Sequence, residues 1–287
     1  MRIPKYWAKG TCTGRDQKGR DRYFWAWGWS FDSLSAAAAD ATARARRIFE
    51  RFARGEKPDT YQYLDHPTRE EIVETLGRDS EPTVLVTRNR NGSLVLNSAK
   101  VCFVDVDFPR PEPVSLWETL KSLFSGKKKT PQVVPTREET IEKVRQWAAR
   151  NPQRSFRLYR TAAGLRMLLT DRLYDPISAE VAALFDELGS DALYRKLTLK
   201  QECFRARLTP KHWRCNCRRP PNQYPWEKPE EERAYRKWQQ EYENKSKAFG
   251  TCHLLEAFGA SSSDEAIQTI VQFHDRTACC GPEVKLA

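Results

Sequence analysis

The chain has 287 residues and carries 49 Lys and Arg against 38 Asp and Glu, a formal net charge of +11 at pH 7. That length supports one large or two modest domains with a true core, and a hydrophobic content of 39% with 9 Trp excludes general disorder. No apolar run approaches the roughly 20 residues that span a bilayer, so no membrane-spanning helix is expected, and the basic excess favours polyanionic partners, nucleic acid first.

The N-terminus, MRIPKYWAKG, lacks the apolar core of a signal peptide. A cytoplasmic location is expected, with the eight cysteines as thiols or metal ligands rather than disulfides. Residues 22–31 alternate so that Tyr23, Trp25, Trp27 and Trp29 share one strand face. Such a stripe can stack bases, but core packing beneath the next element is its expected use. That element is a helix starting at Ser33 or Ser35 and ending near Arg54-Gly55, with Arg44, Arg46, Arg47 and Arg51 late in it, where cations suit the helix dipole. A short helix is expected over 69–76. A strand over 83–87, a turn over 89–92 and a strand over 93–97 read as a hairpin feeding a meander.

The meander leads into Val101 to Phe108, an apolar run interrupted by Asp105 and Asp107. In a strand these two acids share a face with Phe103, while Cys102, Val104 and Val106 point the other way. Two carboxylates about 6 to 7 Å apart repel each other unless a cation sits between them. A divalent-metal site at Asp105 and Asp107 is therefore expected, against the plainer reading of two solvated acids that end a core strand. Pro109 stops the strand. Residues 109–135, with a short apolar helix over 116–124 and then Lys127, Lys128 and Lys129, read as an insertion.

Thr136-Arg-Glu-Glu139 is a capping box opening a helix over 137–150, with Ile141, Val144, Trp147 and Ala148 on one face. A tight hairpin over 156–169 follows, in which Leu165, Met167 and Leu169 share the core face and Arg166 points oppositely, toward the acids. After a helix over 178–188 the chain turns basic: between Arg195 and Arg219 nine Lys or Arg stand against Glu202 alone. In this stretch Arg205 and Arg207 share one strand face, suited to phosphates together with Arg160, Arg166 and Lys211. Cys215 and Cys217 are spaced too tightly for a usual zinc knuckle, although His212, Cys252 and His253 could complete a structural Zn²⁺ site. A charged helix over 229–249, a strand over 252–258 and a helix over 264–274 end the chain.

The order of a D-h-D strand, a helix, a small-residue hairpin and an arginine-bearing strand resembles the archaeo-eukaryotic primase (primase-polymerase) superfamily over about residues 95–212. Asp105 and Asp107 match the family's metal motif, Thr161-Ala162-Ala163-Gly164-Leu165-Arg166 stands where it has S-x-x-G-h-H, and Glu202 before Arg205 and Arg207 stands for its third acid. Arg166 replaces the family's histidine, and Glu202 its aspartate. The resemblance implies an α/β fold of α+β type, with a mainly antiparallel, RRM-like palm sheet and helices on one face; the chain divides into a β-α unit over 1–79, a core over 80–212 with the 109–135 insertion and a C-terminal addition over 213–287, or forms one integrated globular unit. It also implies Mg²⁺ or Mn²⁺ held by Asp105, Asp107 and Glu202, a nucleoside triphosphate neutralised by Arg166, Arg205 and Arg207, and nucleotidyl transfer onto nucleic acid. A non-catalytic nucleic-acid binder of degenerate primase-like fold and a metal-dependent nuclease are the alternatives. Nothing in the sequence sets an oligomeric state.

Overall fold

The chain opens on a ribbon rather than a single strand: β1 (Tyr6–Arg15) pairs antiparallel with β2 (Asp21–Ser30). The turn between them is closed by the Asp16 carboxylate, which accepts the backbone N–H groups of Lys18 and Arg20. The computed structural model describes residues 1–56, 66–78, 81–108 and 136–287, without the side chains of 77, 78 and 81–83. Helix α1 (Leu34–Ala53), capped by the Ser33 hydroxyl, lies on this ribbon through Ala37, Ala41 and Ala45, all fully buried. Their i, i+4, i+8 spacing makes one stripe of methyl groups. Opposite it are Gly10 and Gly28, where an added Cβ would run into the Ala41 backbone.

The helix thus takes the small face of β2, made by Phe24, Ala26 and Gly28, and the tryptophan stripe is left on the other face. This corrects the expected core role of Tyr23, Trp25, Trp27 and Trp29, because a helix seated on alanine methyls leaves no depth for indole rings. Gly28→Val is expected to destabilise the fold by about 1–3 kcal/mol by forcing helix and ribbon apart, read as a lower midpoint in chemical denaturation. An unchanged midpoint would contradict this packing.

Among the described residues, two four-stranded antiparallel sheets follow. One has the order β3-β4-β5-β9, with β3 (Glu71–Arg78), β4 (Glu81–Arg88), β5 (Leu94–Ser98) and β9 (Phe204–Arg207). The other has the order β10-β7-β8-β6, with β6 (Phe103–Asp107), β7 (Phe156–Thr161), β8 (Gly164–Leu169) and β10 (Cys252–Phe258). The expected helix over 69–76 is instead strand β3, because pairing along β4 satisfies its backbone and overrides local propensity. The β4–β5 hairpin forms as expected around Gly92, at φ 83°, with the Asn89 side chain accepting the N–H groups of Asn91 and Ser93. The expected meander breaks after it. The Ser98 hydroxyl accepts the Val101 N–H in a bend, and β6 leaves for the edge of the second sheet.

Helices cover both faces of that sheet, not one as expected. Helix α2 (Arg137–Arg150), with its capping box in place, brings Trp147 against Phe156 on one face. After α3 (Ala179–Leu188), α4 (Ala192–Gln201) and α5 (Pro229–Ser246), helix α6 (Glu265–Ala278) brings His274 against Tyr159 and Phe103 on the other. Strand β8 is consequently buried at every residue. Tyr194 of α4 joins the two sheets at their edges: its hydroxyl donates to the Phe103 carbonyl of β6 (2.8 Å) and accepts the Arg205 N–H of β9 (3.3 Å). One apolar core runs through both sheets, and a smaller one gathers Tyr235, Trp238 and Tyr242 of α5 over Cys215 and Cys217.

The fold is mixed α+β, as expected. Strand pairing crosses both expected segment boundaries, β3 with β4 and β10 with β7. The helix expected over 116–124 and the run Lys127–Lys129 lie outside the described residues. Among the described residues no helix is long and apolar enough to cross a membrane.

Candidate nucleic-acid interface

Strand alternation decides what the acids of β6 meet. Asp105 is in register with Arg166 of β8 and Asp107 with Gly164, so both acids and Arg166 share the face that α6 covers. Arg166 donates to Asp105 Oδ1 at 3.0 Å, to the Arg207 carbonyl at 2.9 Å, and approaches His274 Nε2 at 3.4 Å. Its side chain is 3% exposed, and that of Asp105 is 32% exposed. Burial works against the Arg166 charge, but the Asp105 carboxylate beside it more than compensates and holds its proton more tightly than usual. His274 is held neutral mainly by burial, with Arg166 adding to the effect, although Asp275 at 3.1 Å from Nδ1 pulls the other way. Asp105 therefore reaches this cleft already paired.

The opening lies between the β1–β2 ribbon and the junction of the two sheets. It is a cavity of about 990 Å³, at the upper end of the roughly 300–1,000 Å³ of ligand pockets. Among the described lining residues eight are Lys or Arg and two, Glu70 and Asp105, are acidic. Both acids are already committed. Arg205 forks onto both Glu70 oxygens at 2.8 Å, the Thr87 hydroxyl donates to the same carboxylate, and Asp105 faces Arg166. The cavity field is thus positive.

One wall is the tryptophan face of β2. Trp25 is 50% exposed, and Lys9, Arg69 and Arg44 lie over the rings of Trp25, Trp27 and Trp29 at 4.6, 4.9 and 3.6 Å. Across from it Trp213, 52% exposed, stands in a 3₁₀ turn (His212–Cys215) with Lys211 at 5.3 Å. Helix α1 adds Arg44, Arg47 and Arg51 along one stripe. Arg207 enters from β9. Its Nε is buried without a hydrogen-bond partner among the described residues, and burial together with Arg166 nearby pushes its pKa down to about 10, so it stays charged at neutral pH.

No family model, curated protein or solved structure matches this chain. What the cleft can do follows from its own residues. Of the candidate site residues, Asp105, Arg205, Arg207 and Lys211 line the cavity, and Arg166 lies beneath Asp105. The others fall elsewhere. Asp107 is exposed at the end of β6 and is not part of the lining. Arg160 stands in register with Leu165 and so projects from the opposite sheet face, the one covered by α2. Glu202 ends α4 at φ 50° and pairs with Arg2 at 3.5 Å, outside the cavity.

These placements bear directly on a metal. Among the described residues no three His, Cys, Asp or Glu gather as a metal-ligating group. Asp105 is paired with the buried Arg166 guanidinium, and Asp107 and Glu202 lie outside the cavity lining. The thiols of Cys215 and Cys217 are buried against the aromatic cluster of α5, and His212 Nδ1 lies 3.0 Å from the Cys217 carbonyl rather than beside a sulfur ligand set.

Sequence reasoning missed the rest of the wall. Glu70 was hidden by the helix expected over 69–76, and the arginines of α1 by reading them only as dipole partners. The signal for the tryptophan face was present in the i, i+4 alanines, which mark the helix side that takes the ribbon.

Proposed function

We propose that this cleft binds single-stranded nucleic acid, with bases stacked on Trp25 and Trp213 and phosphates held by Arg47, Arg207 and Lys211. The observation that carries it is a half-exposed indole face inside a cavity whose acids are already neutralised. Stacking needs an unpaired base with an open π-face, so a single strand suits these walls better than a duplex. In fluorescence titrations an oligonucleotide is expected to quench tryptophan emission, and Trp25→Ala to weaken binding by about 1–3 kcal/mol. Unchanged affinity in the Trp25→Ala, Trp213→Ala double variant would count against stacking. All eight cysteines are free thiols, which supports a reducing, cytoplasmic setting.

A second reading, nucleotidyl transfer of primase-polymerase type, is favoured by one observation: Asp105 opens into the same cavity as Arg205, Arg207 and Lys211. Primer extension by the wild-type chain with Mn²⁺ and nucleoside triphosphates, lost in Asp105→Asn, would establish it. Wild-type protein that binds strands without extending them leaves the cleft as a binding site.

A further inference from the structure

We propose that Cys279 and Cys252 form a peroxide-oxidisable thiol pair that closes into a reversible disulfide, on the sheet edge next to the Arg166–His274 network. The pair is set by backbone geometry. Cys252 begins β10 and Cys279 follows the last residue of α6, and the two are partners in an isolated parallel β-bridge, flanked by Thr251 N–H to Ala278 O at 3.2 Å and Cys280 N–H to Cys252 O at 3.0 Å. Neighbouring strands lie about 4.8 Å apart, inside the roughly 4.4–6.8 Å Cα separation that a disulfide spans. The bridge sets the two side chains beside each other.

Their surroundings differ, and the difference gives each a role. Cys252 is fully buried, with its thiol 4.0 Å from His274 Nε2 and 3.6 Å from the Ala278 carbonyl. Cys279 is half-buried and reachable from solvent. The neighbouring Cys252 thiol lowers its pKa to about 7 against the opposing pull of burial, with Arg157 lowering it further and Asp275 raising it. At neutral pH Cys279 is therefore substantially thiolate, the nucleophilic form. Cys252 is held as the thiol by the neighbouring Cys279 and by burial. Cys280 is turned away: its thiol donates to the Cys252 carbonyl at 3.4 Å.

The chemistry balances with hydrogen peroxide as the oxidant. The Cys279 thiolate attacks one peroxide oxygen, the O–O bond breaks, and hydroxide leaves with a proton as water, giving Cys279 sulfenic acid. The Cys252 sulfur then attacks the sulfenic sulfur, the S–S bond forms, the S–O bond breaks, and the departing hydroxide takes the Cys252 proton as a second water. Two thiols are oxidised by two electrons and one peroxide is reduced. A dithiol reverses the step by thiol–disulfide exchange.

The test is peptide mapping of the full chain by mass spectrometry after limiting hydrogen peroxide. The expected result is a Cys252–Cys279 cross-linked peptide with the loss of two hydrogens, removed by dithiothreitol. In Cys252→Ser the cross-link is replaced by a sulfenic acid at Cys279 that dimedone traps, and Cys280→Ser behaves as the wild type. Cys279→Ser, at a half-buried position, slows consumption of the first peroxide equivalent at least about tenfold. A Cys279–Cys280 cross-link, over-oxidation of Cys279 with no cross-link, or an unchanged rate in Cys279→Ser would each overturn the proposal.

Discussion

Asp105→Ala is expected to destabilise the folded chain by about 3 kcal/mol, even though the side chain removed is 32% exposed. The effect comes from what remains. Arg166, 3% exposed, would keep its charge without a carboxylate while Arg207 adds a like charge beside it. The hydrogen bonds to the Arg207 carbonyl and His274 do not replace that charge. The converse change, Arg166→Met, leaves Asp105 at the cavity wall, where water can reach it, and is expected to be milder. The double variant should lie near Arg166→Met rather than near the sum of the two, a coupling that a double-mutant cycle in urea measures directly. An Asp105→Ala variant as stable as wild type would show that the pair contributes nothing, and would return Asp105 to the list of available metal ligands. Asp105→Asn keeps an acceptor for Arg166 but not the charge, so the folded fraction of either variant is measured before any assay of activity.

Binding to a single strand is expected to weaken about a hundredfold between 50 and 200 mM salt, if the cleft engages about five phosphates at the usual counterion slope of roughly −0.7 per contact. Eight cations line the cavity, with Arg205 held by Glu70 and Arg44 and Arg69 over tryptophan faces. Arg47→Ala with Lys211→Ala should flatten the slope by about 1.4 in total. Arg160→Ala is the control. That residue projects from the opposite face of the sheet and should leave the slope unchanged. Binding that ignores salt, or an Arg160 variant that matches the Arg47 and Lys211 pair, would place the strand somewhere other than this cavity.

Local pattern by itself determined the elements whose side chains read in one direction. The capping box of α2, the alanine-rich α1, the β7–β8 hairpin and the alternation that sets Arg205 and Arg207 opposite Phe204 and Ala206 all depend on residues within a few positions of each other, and each forms as the sequence indicates. The same alternation put Asp105, Asp107 and Arg166 on one face.

Only the tertiary structure decided which partner each face meets. The tryptophan stripe of β2 turned from core to cleft because α1 offers alanine methyls to Gly28 and keeps indoles out. Residues 71–78 became a strand because β4 was there to pair with them. Asp105 received a buried arginine, and Glu202 an N-terminal one, through contacts 61 and 200 positions apart in the chain. Periodicity assigns a side chain to a face, but the energy of a charge or a ring depends on what is packed against that face, and long-range pairing supplies it.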